Sequence, residues 1–216
     1  MSSLIGNSAT TRSQLESGLT ELGQVVSADM LDKLLAYMAL LAEWSRTYNL
    51  IASGSRKKLL ARHILDSLAI APWLQPGSLL DVGTGAGLPG IPLAIIKPGM
   101  EVTLLDGSGK KIRFIRHVER SLRLGNICPL QQRIESLEVG SIFANITARA
   151  FASLRGFVEA ARPCTDTTTR MLAMKGLHPQ QELEELPAWV HLHSVERLQI
   201  PGLHAERHIV IMDRVG

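Results

Sequence analysis

The segment Leu79-Leu-Asp-Val-Gly-Thr-Gly-Ala-Gly-Leu-Pro-Gly90 carries the strongest fold signal in this chain. An apolar run that predicts a buried strand leads into three alternating glycines, and Pro89 and Pro92 then suit the first turn of a helix. Glycine lets the backbone turn sharply and approach a ligand closely. The segment therefore predicts a strand, a ligand-binding turn and a helix, as in doubly wound sheets that bind ligands at their carboxyl ends.

Short apolar runs and helical patterns alternate after residue 77, as they do in α/β domains with a mainly parallel sheet. Strands are predicted at residues 78–82, 101–105, 127–130, 142–148 and 171–174, and helices near 90–96, 109–124 and 153–162. Two last apolar runs, 189–200 and 208–212, have no helix between them. We expect them to pair as an antiparallel hairpin at the edge of the sheet.

The first part of the chain has helical spacing instead. Apolar residues at period 3.6 predict helices over residues 29–44 and 57–71, whereas residues 1–20, rich in Ser, Thr and Gly, are expected to be frayed. We predict a helical extension over residues 1–77, packed on the sheet, and a ligand-binding core over residues 78–216.

Composition excludes several classes of protein. The 216 residues are 45% hydrophobic and 20% charged, which are globular values, and no apolar run is long enough to span a bilayer. The start of the chain lacks the features of a secretory signal, so we expect a cytoplasmic protein without membrane partners. The two cysteines allow no disulfide framework, and no metal site is predicted. Cys128 is expected to be buried, and Pro163-Cys164 is poorly placed for a nucleophile.

Two cofactors fit the glycine-rich turn. Gly85-x-Gly87-x-x-Gly90 matches the dinucleotide fingerprint, which by itself is weak evidence for a nicotinamide-dependent oxidoreductase. Asp81-x-Gly83-x-Gly85-x-Gly87 resembles the first motif of methyltransferases that use S-adenosylmethionine (SAM). Asp106, at the end of the next predicted strand, could accept ribose hydroxyls of either cofactor and does not discriminate between them.

Further motifs resemble one family of enzymes. They are Tyr48-Asn-Leu50, Arg62-His-Ile-Leu-Asp-Ser67, residues 81–93, Leu104-Leu-Asp106, Gly109-Lys-Lys111, Arg149-Ala-Phe-Ala-Ser-Leu154, Lys175-Gly176 and Glu206-Arg-His208. In order and spacing they are similar to the RsmG (GidB) family of bacterial methyltransferases, which modify guanine N7 in 16S ribosomal RNA. The resemblance covers the chain from about Leu40 to its C-terminus. Three positions depart from the family: Gly107, Ser108 and Ala144.

The resemblance implies a Rossmann-like class I methyltransferase fold with a seven-stranded, mainly parallel sheet and SAM as cofactor. It implies SAM contacts at Gly83, Leu88, Ile134, Glu135 and Arg149, to which the arguments from the turn and the ribose add Gly85 and Asp106. The implied substrate is 16S ribosomal RNA or the small ribosomal subunit, at nucleotide 527 in the 530 loop. Another RNA or a small molecule remains an alternative acceptor. We expect a monomer, although no motif determines the oligomeric state.

Two basic blocks indicate an anionic partner. The first is residues 55–63, and the second is residues 107–123. In the predicted helix 109–124, arginines form a stripe separate from the apolar one. We expect RNA contacts from basic side chains near the strand ends, namely Lys110, Arg113, Arg116, Arg133, Lys175 and Arg207. Guanine N7 carries no proton, so no residue is expected to act as a general base, and His63 is expected to be an interface or capping residue.

Overall fold

The computed structural model describes residues 8–51, 59–138 and 140–215. Its helices are α1 Ser8–Glu21, α2 Ala28–Tyr48, α3 (a π-helical stretch, Leu60–Leu65, continued by Asp66–Leu68), α4 Gly90–Ile96, α5 Gly109–Leu122, α6 Leu154–Ala161 and α7 Gln180–Glu184. Its strands are β1 Leu79–Val82, β2 Val102–Leu105, β3 Ile127–Leu130, β4 Asn145–Arg149, β5 Arg170–Lys175, β6 Val190–Arg197 and β7 His208–Arg214. Single 3-10 turns lie at Ala71–Trp73, Ile134–Ser136 and Arg162–Cys164.

The strands form one seven-stranded sheet in the order β3-β2-β1-β4-β5-β7-β6. The first five strands pair in parallel, whereas β7 runs antiparallel to both β5 and β6. The predicted doubly wound sheet and terminal hairpin are confirmed, with β7 inserted so that β6 alone forms that edge. The chain leaves β1 toward β2 and later returns to β4 on the other side, so the strand order reverses between β1 and β4. Ligands of such sheets bind at this switch point.

Successive side chains of the strands enter two different cores, because strand residues alternate between the faces of a sheet. Leu79 packs with helices α1 to α5, and Leu80 and Val82 pack with α6 on the opposite face. Likewise, Leu172 and Met174 of β5 enter the first core, and its neighbours Met171 and Ala173 enter the second. The central strands therefore need apolar residues at nearly every position.

Helix α5 places two predicted stripes on different sides. Ile112, Phe114, Ile115 and Val118 are buried in the core that α1 to α4 share. The arginines of α5 face solvent. Because 3.6 residues make one turn, positions three and four apart stay on one side of the helix, which separates the two stripes.

The N-terminal helices belong to the same core as the sheet. Leu15 and Leu19 of α1 are buried, as are Leu34 and Leu41 of α2, in the cluster that also holds Ile91 of α4. Ser27 caps α2 by accepting a hydrogen bond from the Met30 N–H, and the helix ends at Asn49 in the left-handed conformation. The division at residues 77 and 78 stays a prediction.

Four sequence-based expectations need correction. The segment expected to be frayed forms α1 from Ser8 onward, since buried leucines dock it on the core, while residues 1–7 lie outside the described ranges. The side chain of Cys128 is exposed because β3 is an edge strand and this position faces away from the core. Strand β4 was predicted from residue 142 and begins only at Asn145. The helix predicted over 57–71 is described only from residue 59, and it includes a π-helical stretch. Within the described ranges, no helix combines the length and apolarity needed to cross a bilayer.

Candidate active site

The glycine-rich turn after β1 bends through three left-handed residues. Gly83, Gly85 and Gly87 have φ angles of 67°, 63° and 89°, which residues with a side chain rarely adopt. Among the described residues, a Cβ atom on Gly83 would have no neighbour within 4 Å, and one on Gly85 would meet only the Gly83 carbonyl at 3.9 Å. The backbone of these two residues therefore faces open space.

Gly87 and Gly90 serve packing instead. A Cβ atom at Gly87 would lie 2.2 Å from Ile91 Cδ1, and one at Gly90 would lie 2.2 Å from a Leu104 methyl group and 2.8 Å from Asp81 Oδ2. Only glycine lets α4 approach β1 and β2 this closely. Helix packing rather than a ligand thus explains two of the three glycines in the dinucleotide-like pattern.

Asp81 lies beneath the turn and is completely buried. Its Oδ2 atom accepts hydrogen bonds from the Thr84 hydroxyl at 2.6 Å and from the Gly90 N–H at 2.8 Å, whereas Oδ1 has no partner among the described residues. Burial raises the pKa of this carboxyl to about 6, although the hydrogen bonds from Thr84 and Gly90 offset part of that rise. A carboxylate at the start of α4 repels the pyrophosphate that a dinucleotide would place there.

Asp106 follows β2 and faces the glycine turn. Its Oδ2 accepts from the Gly85 N–H at 3.0 Å and from Lys111 Nζ at 3.1 Å, and its Oδ1 accepts from the Ser108 N–H at 2.9 Å. A carboxylate has about four acceptor positions, so this one retains capacity for a ligand hydroxyl. Ser108 contributes only its backbone N–H, which explains why its departure from the family pattern leaves Asp106 in place.

Tyr37 of α2 contacts the glycine turn from the core side. The sequence analysis did not predict this contact. The ring is fully buried, and its hydroxyl donates a hydrogen bond of 2.8 Å to the Ala86 carbonyl in the turn. Burial raises the pKa of this phenol above its usual range, so the hydroxyl stays a donor. Since the tyrosine falls within an ordinary helical pattern, no local signal distinguishes it from a core aromatic.

The other predicted SAM contacts differ in exposure. Ile134 is 6% exposed and Glu135 is exposed, both in the 3-10 turn that follows β3. Leu88 is only 2% exposed and packs in the core, so its side chain offers no surface to a ligand. In this turn Glu135 presents an exposed carboxyl, while the side chain of Ile134 packs mostly in the second core.

Arg149, at the carboxyl end of β4, is bound to a buried acid. Its Nη1 lies 3.6 Å from Asp66 Oδ2 and donates to the Arg62 carbonyl at 3.4 Å, while Arg207 Nε donates to Asp66 Oδ1 at 2.9 Å. Burial raises the pKa of Asp66, and the two guanidiniums offset part of that rise. The structure thus joins two predicted site residues through a third that the sequence analysis did not select.

His63 lies one turn before Asp66 in the π-helical stretch. Burial, together with the charges of Arg149, Arg62 and Arg207, lowers its pKa to about 4. Its Nδ1 atom is buried without a hydrogen-bond partner in the described chain, so it caps no helix through this atom. The imidazole is neutral at physiological pH.

The predicted RNA-binding cations fall into two groups. Lys175 lies 2.6 Å from Glu182, which also accepts from the Leu154 N–H, and Arg207 is held by Asp66. The remaining four are exposed and form no ion pair within the described ranges, namely Lys110, Arg113, Arg116 and Arg133. The second group is free to meet an anionic partner.

The structure supports neither a nucleophilic role for Cys164 nor a metal site in the described residues. Cys164 is buried, and burial raises the pKa of its thiol, so it stays protonated and unreactive. In the described chain, no group of three or more His, Cys, Asp or Glu side chains could hold a metal ion.

Comparison with solved structures places this fold among methyltransferases. The chain resembles TrmN from Thermus thermophilus with a TM-score of 0.57 and 18% identity, over 79% of this chain and 53% of that one. It resembles the ribosomal protein L11 methylase from Lactobacillus delbrueckii subsp. bulgaricus with a TM-score of 0.57 and 16% identity, over 77% and 82%. The seven-stranded sheet therefore has the class I methyltransferase fold.

Sequence comparison identifies the family. Residues 30–210 match the GidB model, described as rRNA small subunit methyltransferase G. The proteins named ribosomal RNA small subunit methyltransferase G from Pseudomonas syringae pv. syringae and Pseudomonas aeruginosa are both 43% identical, over 94% of this chain and 95% of theirs. The chain belongs to the GidB family.

Proposed function

We propose that this enzyme transfers the methyl group of SAM to N7 of a guanine in 16S ribosomal RNA. The family and the names of its relatives support a small-subunit RNA substrate. The observation that carries the proposal is the open turn at Gly83 and Gly85, bonded to Asp106 at the switch point of the sheet. As the resemblance to the family implies, we propose nucleotide 527 in the 530 loop as the target.

The cofactor fits the residues around this turn. SAM supplies an electrophilic methyl group on a sulfonium. Gly83 and Gly85 expose backbone to the cleft, and Asp106 faces it with acceptor capacity for ribose hydroxyls. Ile134 and Glu135, after β3, suit the face and the amino group of an adenine. Leu88 would contribute through its backbone, because its side chain is buried.

Arg149 would contact the carboxylate of SAM or an RNA phosphate rather than the sulfonium, because like charges repel. Asp66 and the Arg62 carbonyl engage its Nη1, and within the described ranges no other protein group binds the rest of the guanidinium, which can meet a ligand. Asp66 lies between Arg149 and Arg207, and its single negative charge neutralises one of these two positive charges.

Guanine N7 attacks as a lone-pair nucleophile and has no proton to lose. The chain therefore needs to hold N7 in line with the methyl group, and positioning supplies the catalysis. The pKa of His63 is lowered to about 4, so its imidazole is uncharged at neutral pH. A neutral side chain suits a site in which the base becomes cationic, because it adds no further positive charge.

The exposed arginines of α5 would bind the RNA backbone. The row begins one turn after Gly109, close to Asp106, and continues away from the cleft along the helix. Contacts with phosphates position an RNA without reading its sequence. Lys175 and Arg207, held in ion pairs, would shape the cleft and contact RNA only if those pairs rearrange.

Incubation with radiolabelled SAM and small ribosomal subunits that lack the methyl group tests the proposal. We expect one label per subunit, at N7 of a guanine in 16S RNA, mapped by chemical cleavage at 7-methylguanine. A label on another atom or another RNA would contradict it. Calorimetry with SAM and NAD in parallel separates the oxidoreductase alternative, for which NAD alone would bind.

A further inference from the structure

The loop after β4 lies directly beside the glycine turn. Val82 of β1 and Ala148 of β4 are paired in the sheet, so Gly83 and Arg149 leave neighbouring strands at the same edge. Arg149 ends β4, and the next three residues, Ala150, Phe151 and Ala152, form what we call the acceptor loop. With the cofactor turn on the β1 side, this loop occupies the β4 side of the switch point.

The backbone of the acceptor loop is strained and open. Ala150 has a φ angle of 65° although it is not glycine, and it is exposed. Within the described chain, the N–H groups of Ala150, Phe151 and Ala152 donate to no other protein group. Left-handed residues with a Cβ atom are unfavourable and concentrate at binding sites. Three successive free donors at the edge of the cleft can receive a ligand acceptor.

The ring of Phe151 is anchored but incompletely covered. It lies 5.7 Å from the buried ring of Phe157, and its Cε1 atom lies 3.5 Å from the Cβ position of Gly156 at the start of α6. The residue is nevertheless half-buried rather than buried. The chain has only four phenylalanines, and this one stands next to the free backbone donors. A fixed aromatic face suits a nucleobase that has left its stack.

A guanine that presents N7 to a methyl donor also presents O6, since both acceptors lie on one edge of the base. Adenine has N7 on that edge as well, but its neighbour is an N6 amino donor. A protein N–H donor beside N7 therefore accepts guanine and repels adenine. Neutral amides suit this position better than a cation, because methylation leaves the base positively charged. The guanidinium of Arg149, the residue before the acceptor loop, is paired with Asp66.

We propose that the acceptor loop selects guanine, with its backbone N–H groups donating to O6 and the ring of Phe151 stacking on the base. The inference rests on the proposed function and adds the residues that hold the methyl acceptor. Phe151 and Ala150 are then substrate-positioning residues, distinct from those around the cofactor turn.

Replacement of the aromatic ring tests the stacking. In Phe151→Leu we expect kcat/KM for the RNA to fall about 5- to 150-fold, as follows from loss of a base–aromatic stack, while calorimetry shows affinity for S-adenosylhomocysteine within about twofold of wild type. The matched control is Phe143→Leu, a partly buried phenylalanine before β4 at the opposite end of that strand. Unchanged kcat/KM in Phe151→Leu, or an equal loss in both variants, would overturn the stacking.

Altered bases test the O6 contact with the wild-type protein. Small subunits are assembled with inosine at the target, which keeps N7 and O6, or with 2-aminopurine riboside, which keeps N7 and lacks O6. We expect methylation of inosine within about tenfold of guanosine and a loss of about a hundredfold or more with 2-aminopurine. The reverse order would overturn the O6 contact. Absence of any transfer to unmodified guanosine would refute the proposed function, whereas normal transfer that ignores O6 refutes this inference alone.

Discussion

Glycines in the turn after β1 have two separate roles, which the sequence pattern does not distinguish. Gly83 and Gly85 face open space, where a ligand can approach the backbone, whereas Gly87 and Gly90 face side chains of the core. All of them appear as identical letters in the motif. The surroundings of each Cβ position therefore separate a binding glycine from a packing glycine.

Alanine substitutions at two of these positions should give different phenotypes. In Gly83→Ala the methyl group fits without a clash, so the left-handed backbone alone should lower the unfolding free energy by about 1 kcal/mol. SAM binding should be at least tenfold weaker, because the methyl group occupies space at the cleft. In Gly87→Ala the methyl group would lie 2.2 Å from Ile91 Cδ1, and we expect a loss of about 3 kcal/mol. Urea unfolding and calorimetry measure the two effects. Equal stability losses would contradict the assignment.

The buried carboxyl of Asp81 should make stability depend on pH. Its folded pKa of about 6 lies above the unfolded value of 3.8, so its contribution is present below about pH 4 and is lost as pH rises through 6. Asn at this position keeps an acceptor oxygen and does not titrate. Relative to Asp81→Asn, we expect the wild-type protein to lose about 2 kcal/mol of unfolding free energy between pH 4 and pH 7. Urea unfolding of both proteins across this range gives the difference in unfolding free energy at each pH. Equal pH dependence in the two proteins would contradict the raised pKa of Asp81.

Helix α5 combines a stripe of buried apolar residues with a row of exposed arginines. The buried residues set its rotation on the sheet, so the arginines must face solvent. In the described chain, Arg113, Arg116 and Arg120 are exposed and form no ion pair. A row of free cations that begins near the cleft suits an RNA backbone.

Each arginine of this row should contribute one phosphate contact. In Arg113→Ala and Arg116→Ala we expect weaker RNA binding and a salt dependence, as the slope of log K against log salt concentration, that is lower by about 0.7 to 1 per residue. Binding titrations between about 50 and 200 mM salt measure this slope. Arg197→Ala is the matched control, since Arg197 is an exposed arginine on β6 at the far edge of the sheet. A control that lowers the slope equally would argue against a specific row.

Sequence periodicity predicted most elements well and failed where packing overrides it. The pattern predicted α4 at residues 90–96, where the structure has it, and predicted all seven strands within a few residues. It missed α1, because a segment rich in Ser and Thr is helical only when Leu15 and Leu19 are buried against other helices. It also placed Cys128 inside, since alternation does not reveal which strand forms an edge.

At the scale of the molecule, Asp66 connects three distant parts of the chain. It lies in α3, and its two oxygens bind Arg149 at the end of β4 and Arg207 just before β7. Tyr37 makes a second long-range link, from α2 to the glycine turn. The N-terminal helices thus support both the glycine turn and the carboxyl end of β4.

Loss of the buried acid should cost far more than loss of a surface acid. Asp66→Ala leaves two half-buried guanidiniums unpaired, and we expect about 3–5 kcal/mol lower unfolding free energy. Asp213→Ala breaks an ion pair with Arg170 whose side chains are 26% and 27% exposed, and we expect a loss below about 1 kcal/mol. Urea unfolding of both variants compares them. Similar losses would show that Asp66 does not hold these elements together.

The amino-acid sequence was sufficient for the α/β class, the positions of the strands, the glycine turn and the acid after β2, because these depend on local periodicity and on chain geometry near each residue. The pairing of Asp66 with two arginines, the support from Tyr37 and the open donors of the acceptor loop depend on residues far apart in the chain. Arg207 and Asp66 are 141 positions apart, and Tyr37 and Ala86 are 49 apart. Such contacts form only when long-range packing closes the loops between them, and no local pattern encodes which partners meet.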